Sequence, residues 1–292
     1  MVLRLARVVW FLLPATAGTV IDDATREWSG APRVVALALA LVAWLLASFA
    51  LLVPRPRSFT VLRIAAPGLA IATSAAAFRA GAVVATVATA HAWFAAACVL
   101  SSGVAHSCAD GASYGNERRF PLRLPPQFAL LVVPSSVALI GAVVVSGPLL
   151  LAAEQWIAGG AVMIAGLPIA FALTRSLMSL ERRFVVIVPA GLVVSDALTL
   201  VDPVLFPSDH LLAIGTNDDP GRGLPDATPG VLDLRLGAVG AVELRLDTPA
   251  PLPLRAGRRD TRTLEIGRVV FTPVRPRRFL DEFTANAPRS DA

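Results

Sequence analysis

Residues 34–53 (VVALALALVAWLLASFALLV) run for twenty positions without a charge. That is about the length a helix needs to cross the hydrocarbon core of a bilayer. Such a stretch leaves few folds open, because in lipid each backbone polar group must be satisfied within the segment. Further apolar stretches follow the same plan: 3–21; 64–78, which holds Pro67 and begins a few residues earlier; 81–103; 128–151; and 156–173. Hydrophobic residues make up 55% of the chain and charged residues 16%, with a mean hydropathy of +0.66. Those values exclude an ordinary soluble protein and predict a multi-pass membrane protein. Residues 3–21 admit two readings. One is a first span with Arg4 and Arg7 reaching to the interface; the other is a signal peptide cut near Ala15-Thr16-Ala17.

The pattern changes at 182–206, RRFVVIVPAGLVVSDALTLVDPVLF. Arg182 and Arg183 close the last apolar stretch and a β-branched run follows. Pro189-Ala190-Gly191 then turns the chain back through Leu192, Val193 and Val194, a strand–turn–strand signal. Residues 231–236 (VLDLRL) and 242–246 (VELRL) alternate apolar with charged, which predicts an antiparallel hairpin. Strands are also expected at 211–214 and 263–271, and loops at 217–229 and 248–257. A closing helix is expected at 276–285, with Phe279, Leu280 and Phe283 on one face. The chain thus divides into an α-helical polytopic membrane domain, 1–180, and a β-rich domain, 181–292. The element order of the second resembles the pleckstrin-homology-like split barrel with its C-terminal helix. A small antiparallel sheet capped by a helix is the plainer alternative.

Charge sets the orientation. The net charge is +5, and all 26 basic residues are arginine. Arginine binds phosphate in bidentate fashion, but uniform replacement of lysine reads more simply as the codon bias of a GC-rich genome. Residues 1–175 hold twelve Arg against six acidic residues, and 176–292 hold fourteen against fifteen. The basic pI therefore points to a membrane surface rather than to nucleic acid. Arg55, Arg57, Arg63, Arg118, Arg119, Arg123, Arg175, Arg182 and Arg183 fall on one side of the spans, which becomes cytoplasmic. An N-terminus inside gives six spans, one outside gives five, and the β-rich domain is cytoplasmic in both.

Four strings, FLLPATAG (11–18), LVPRPRSFTVLRIAAP (52–67), GASYGNERRFPL (111–122) and 182–207, resemble a family of uncharacterised actinobacterial multi-pass membrane proteins. The resemblance implies a bacterial plasma membrane as location and carries over no catalytic residue.

The chemistry-bearing residues are few. His91 sits at mid-span in 81–103, where an ionisable group needs a partner, and Thr86 or Thr89 lies within reach. No Asp or Glu falls inside a span. His91 and Cys98 are seven apart, and His106 and Cys108 follow; these are metal-ligand types without CxxC or HExxH spacing. The two cysteines suggest no disulfide framework. Tyr114 lies between two glycines ahead of Arg118 and Arg119, an anion-nest composition without the GK[ST] ending of a phosphate loop. This segment is expected to dock on the β-rich domain or on lipid headgroups, or else to be a solvated positive-inside loop. Arg255, Arg258, Arg259 and Arg262, and Arg275, Arg277 and Arg278, form two basic clusters suited to anionic lipid, offset by Asp260 and Glu265. Asp196, Asp202 and Asp209 suit turns and caps.

No catalytic, cofactor or metal residue is assigned. The expected role is a non-enzymatic integral membrane protein that anchors or regulates a protein partner at the cytoplasmic face of the plasma membrane, in contact with the lipid bilayer. A small transporter or channel is the alternative, and a membrane enzyme the third reading.

Overall fold

Pro14 makes the first decision in the fold. Its ring nitrogen cannot donate to the carbonyl of Trp10, so the first apolar stretch breaks there. In the computed structural model, which describes residues 1–79, 81–115, 117–217, 230–238, 240–257 and 260–286, that stretch forms α1 (Val2–Phe11), a 3-10 turn (Leu13–Ala15) and α2 (Ala17–Ala24). Unbroken helices follow: α3 (Gly30–Leu52), α4 (Pro56–Ala77), α5 (Ala82–Val99) and the short α6 (Ser102–Asp110). After a π-turn at Phe128–Val132 come α7 (Val133–Ala152) and α8 (Trp156–Leu180). Among the described residues six helices are long and apolar enough to cross a membrane: Val2–Ala24, Gly30–Leu52, Pro56–Ala77, Ala82–Val99, Phe128–Ala152 and Trp156–Leu180.

The chain divides into two compact units: Met1–Gly111 with Val132–Met178, and Ala112–Leu131 with Ser179–Ala292. In the first, Trp10, Leu13, Leu51, Leu62 and Val99 are buried together. Residues 3–21, for which a leader is the alternative to a first span, supply part of that core. Ala88, Ala92, Ala95 and Ala96 are buried along α5, where small side chains let helices approach closely.

The second unit is a β structure with one core. Strands β1 (Arg118–Pro121), β2 (Phe184–Val188), β3 (Gly191–Ser195) and β4 (Val204–Pro207) form an antiparallel sheet in that order. Strands β5 (Leu211–Asn217), β6 (Val231–Asp233), β7 (Ala241–Arg255) and β8 (Thr261–Phe271) form a second, in the order β5-β7-β8-β6. Phe120, Val185, Ile187, Leu192, Leu244 and Phe271 meet between them. Helix α9 (Pro276–Asn286) closes the core with Phe279, which lies edge-on to Phe120 at 5.3 Å and to Phe271 at 5.5 Å. At the β2–β3 turn Gly191 has φ +144°, and a Cβ there would overlap the carbonyl oxygen of Phe206 on β4.

Four expectations change. The segment with Tyr114, Arg118 and Arg119 is not a solvated loop throughout: it contains β1, which pairs with β2 from Arg118 opposite Ile187 to Pro121 opposite Phe184. The β unit therefore begins at Ala112, is interrupted by two spans, and resumes at Ser179 rather than starting at 181. Next, 231–236 and 242–246 do not form a hairpin. The Asp233 carboxylate accepts the backbone N–H of Arg235 at 2.8 Å and ends β6, and Leu236 and Gly237 turn away with positive φ. Strand β8 then lies between β6 and β7, parallel to the former and antiparallel to the latter. Alternation identifies a strand but not its neighbour.

Finally, 248–257 is not a loop but mostly the second half of β7. Pro251 and Pro253 alternate along it, opposite Glu265 and Thr263 of β8. The Pro253 carbonyl accepts from Val201 N–H on the side away from β8. In an antiparallel strand a residue's nitrogen faces the same way as its carbonyl, so these prolines leave the ladder to β8 intact. Most of the expected loop at 217–229 lies outside the described residues.

Candidate functional site

His91 is half-buried on α5 and is held from α1 and the turn after it. Its Nε2 lies 3.0 Å from the carbonyl of Val9 and its Nδ1 2.7 Å from the hydroxyl of Thr16. A carbonyl only accepts, so Nε2–H donates to Val9; in a neutral ring Nδ1 then accepts from Thr16. Val9 and Trp10 are in the last turn of α1, whose carbonyls have no continuing helix to serve. Trp44 of α3 donates to the Trp10 carbonyl at 3.2 Å, and Trp10 donates to the Trp44 carbonyl at 3.2 Å. His91 and Trp44 thus both serve the last turn of the helix that Pro14 ends. The partner of His91 is 75 residues away in sequence, not Thr86, which donates to Ala82 in its own helix. A cavity of about 290 Å³ opens beside the break, lined by apolar side chains that include Leu13, Pro14, Leu37, Trp44 and Leu69.

His106 and Cys108 are both buried on α6. Two positions apart on a helix, they point about 200° away from each other, so they do not converge on one ion. Among the described residues no group of three His, Cys, Asp or Glu is placed to hold a metal.

Tyr114 is exposed and its segment is not an empty nest. The Tyr114 N–H faces the Glu117 carboxylate at 3.4 Å, and Glu117 N–H donates back to the Tyr114 carbonyl at 3.1 Å. Arg118 lies 3.8 Å from Glu282 of α9, while Arg119 lies 3.4 Å from Glu117 and stands over the ring of Phe184 at 5.4 Å. The two arginines fasten β1 into the β unit. Of the expected basic clusters, Arg255 donates to the Leu200 carbonyl at 2.9 Å, whereas Arg262, Arg277 and Arg278 are exposed. Arg278 is paired with Glu282 at 2.7 Å. Arg258 and Arg259 lie outside the described residues.

The residue that sequence reading placed wrongly is Arg183. Expected as a flanking charge, it is fully buried together with Asp196, at 2.9 Å. Its remaining N–H groups reach the carbonyls of Arg123 at 3.0 Å and Leu234 at 2.8 Å. One guanidinium therefore joins the segment after β1, the end of the β2–β3 hairpin and the exit of β6. Asp196 also accepts the Leu198 N–H at 2.9 Å, the turn role expected of it. Phe184 pairs with Ser195, so the next residue outward on each strand is Arg183 and Asp196. The hairpin signal already implied that meeting. Asp202 and Asp209 are exposed, the latter in the short helical turn Ser208–His210.

No known protein family, curated protein or solved structure matches this chain.

Proposed function

We propose that this chain is a six-span protein of a bacterial plasma membrane that holds a β unit at the cytoplasmic face, where it anchors or regulates a protein partner without catalysing a reaction. One observation carries the reading: the β unit is assembled from the segment between the fourth and fifth spans and the segment after the sixth. Such a unit closes only if both segments lie on the same side, which two crossings, α7 and α8, provide. Three chain connections then tie it to the helices, a tether suited to holding a partner in place. The arginine flanks at Arg55, Arg57, Arg63 and Arg175 favour the cytoplasm as that side. A lysine-free, arginine-rich composition fits a GC-rich bacterial genome, in line with the actinobacterial resemblance.

The buried charges support a structural rather than a catalytic use. Arg183–Asp196 and Arg235–Asp233 each consume their hydrogen-bonding groups on one another or on backbone. We read the β unit as a relative of the pleckstrin-homology-like barrel on two grounds, its paired four-stranded sheets and its closing helix; the parallel β6–β8 pair departs from that pattern. Exposed Arg262, Arg277 and Arg278 suit anionic headgroups. The test is a mild-detergent pull-down on the full chain with mass spectrometry, beside Phe120→Asp. A partner retained by the native chain and lost by the variant, at equal membrane levels, supports anchoring. Solute uptake that depends on the chain and disappears in His91→Leu would instead establish transport.

A further inference from the structure

Arg33, Leu37, Ala40, Leu41 and Trp44 recur at helical spacing and share one face of α3. The last four line one wall of the cavity beside the Pro14 break, and Pro14, Ile21 and Leu69 are among the residues around the rest. Its volume is about 290 Å³, roughly twice that of a 150 Å³ apolar cavity, which stays dry and takes benzene. The walls offer a guest no polar group: the one side-chain N–H among them, on Trp44, is donated to the Trp10 carbonyl at 3.2 Å. Leu37 to Trp44 covers about 10 Å of helix axis, so the lining runs along the span. At the end nearer the start of α3, Arg33 stands one turn before Leu37 and Asp22 follows Ile21. Their ion pair, 2.8 Å from Nη2 to Oδ1, joins α2 to α3 there. Arg33 Nε is buried and, among the described residues, has no acceptor. A buried N–H in that position is costly until an oxygen meets it.

We propose that this cavity seats one acyl chain of a bilayer phospholipid, with the ester carbonyl of that chain accepting from Arg33 Nε–H. The proposal rests on the membrane reading given above, which makes hydrocarbon the medium at the rim, where Pro14 and Leu41 are exposed. An acyl chain is apolar along its length and carries its first oxygen at the ester, where the hydrocarbon core ends. Arg33 is the fourth residue of α3, at the corresponding end of a span. Chain and site therefore match in order, methylenes against Leu37 to Trp44 and the carbonyl at Arg33. The methylenes gain dispersion contacts with the walls beside the Pro14 break, and the carbonyl satisfies the one buried donor at its end.

The test uses the full chain, purified in a mild detergent, stripped of lipid by detergent exchange and given either dioleoylphosphatidylglycerol or oleate. Occupancy is read by native mass spectrometry. The expected result is one phospholipid retained per chain, without comparable retention of oleate. Ala40→Phe, which puts a ring into the cavity, should lower occupancy about tenfold. Ala38→Phe, at an exposed position of the same helix, should leave it unchanged. Gly18→Leu narrows the cavity from α2, where a Cβ meets only Pro14 at 3.9 Å; it replaces Ala40→Phe if that variant has lost its thermal transition. Arg33→Gln should weaken retention, whereas Asp22→Asn, which keeps the Nε–H, should not. No retained phospholipid, or equal retention in the native chain and the filled variants, would overturn the seat. Equal retention of oleate, or a detergent molecule held in place of lipid, would overturn the ester-linked source. Carbonate extraction of cell membranes separates the two readings. Chain that stays with the bilayer but retains no phospholipid sinks only the seat, and chain released by carbonate sinks the membrane assignment.

Discussion

Arg183 shows how one side chain can hold several segments at once. A buried guanidinium left without its carboxylate costs about 3–5 kcal/mol, a large part of what a small unit has to spare. Asp196→Ala should therefore open the β unit, seen as fast hydrogen exchange in β2 and β3 of the full chain. The pair Arg183→Leu with Asp196→Leu should recover part of the protection, because it removes both charges together. Unchanged exchange in Asp196→Ala would mean the clasp is dispensable. His91 belongs to the same scale with a smaller effect. Hydrogen bonds between membrane helices contribute about 0.6–1.7 kcal/mol each, so His91→Leu should lower the thermal midpoint of the full chain in detergent modestly. Thr16→Val should cost less than His91→Leu, since it leaves the bond to Val9 in place.

Among the elements, β1 carries the most weight for its length. Its four residues cover the edge of β2 and bring Phe120 into the core, and Leu122 follows directly. A soluble chain of residues 179–292 lacks all of this and should show no cooperative thermal unfolding by circular dichroism. Joining 112–131 to its start through a short linker should restore the transition. If 179–292 alone unfolds cooperatively, β1 is an accessory. The β3–β4 pairing makes a sharper test of backbone geometry. Gly191→Ala meets both an unfavourable φ and the Phe206 carbonyl. It should destabilise the unit well beyond the roughly 1 kcal/mol usual for an ordinary substitution, whereas Ala190→Gly should not.

At the scale of the molecule, the split β unit constrains topology independently of charge. Ser113 and Thr284 belong to one folded unit, so on the proposed six-span reading they share a side, while Glu154 lies one crossing away from each. Cysteines placed at 113 and 284 should label from the same side of sealed vesicles, and one at 154 from the other. Labelling of 113 and 154 from the same side would break the span assignment. The arginine count gains and loses in this light. Arg118 and Arg119 are bound to Glu282 and Glu117, and Arg183 is buried, so six of the nine flanking arginines, Arg55, Arg57, Arg63, Arg123, Arg175 and Arg182, are left to favour the proposed inner face.

The long apolar helices, the change of character near Arg182, the β2–β3 hairpin and the closing helix with Phe279 were legible in the sequence, because each depends on local pattern: run length and a 3.6-residue period for a helix, and a two-residue period for a strand. Partnership was not. That β8 separates β6 from β7, that prolines continue β7, that Arg118–Pro121 is a strand, and that His91 bonds Thr16 all depend on which segments meet in space. Local pattern has no term for that. Backbone groups and buried charges must be satisfied by whatever packs against them, and only the tertiary structure decides what that is.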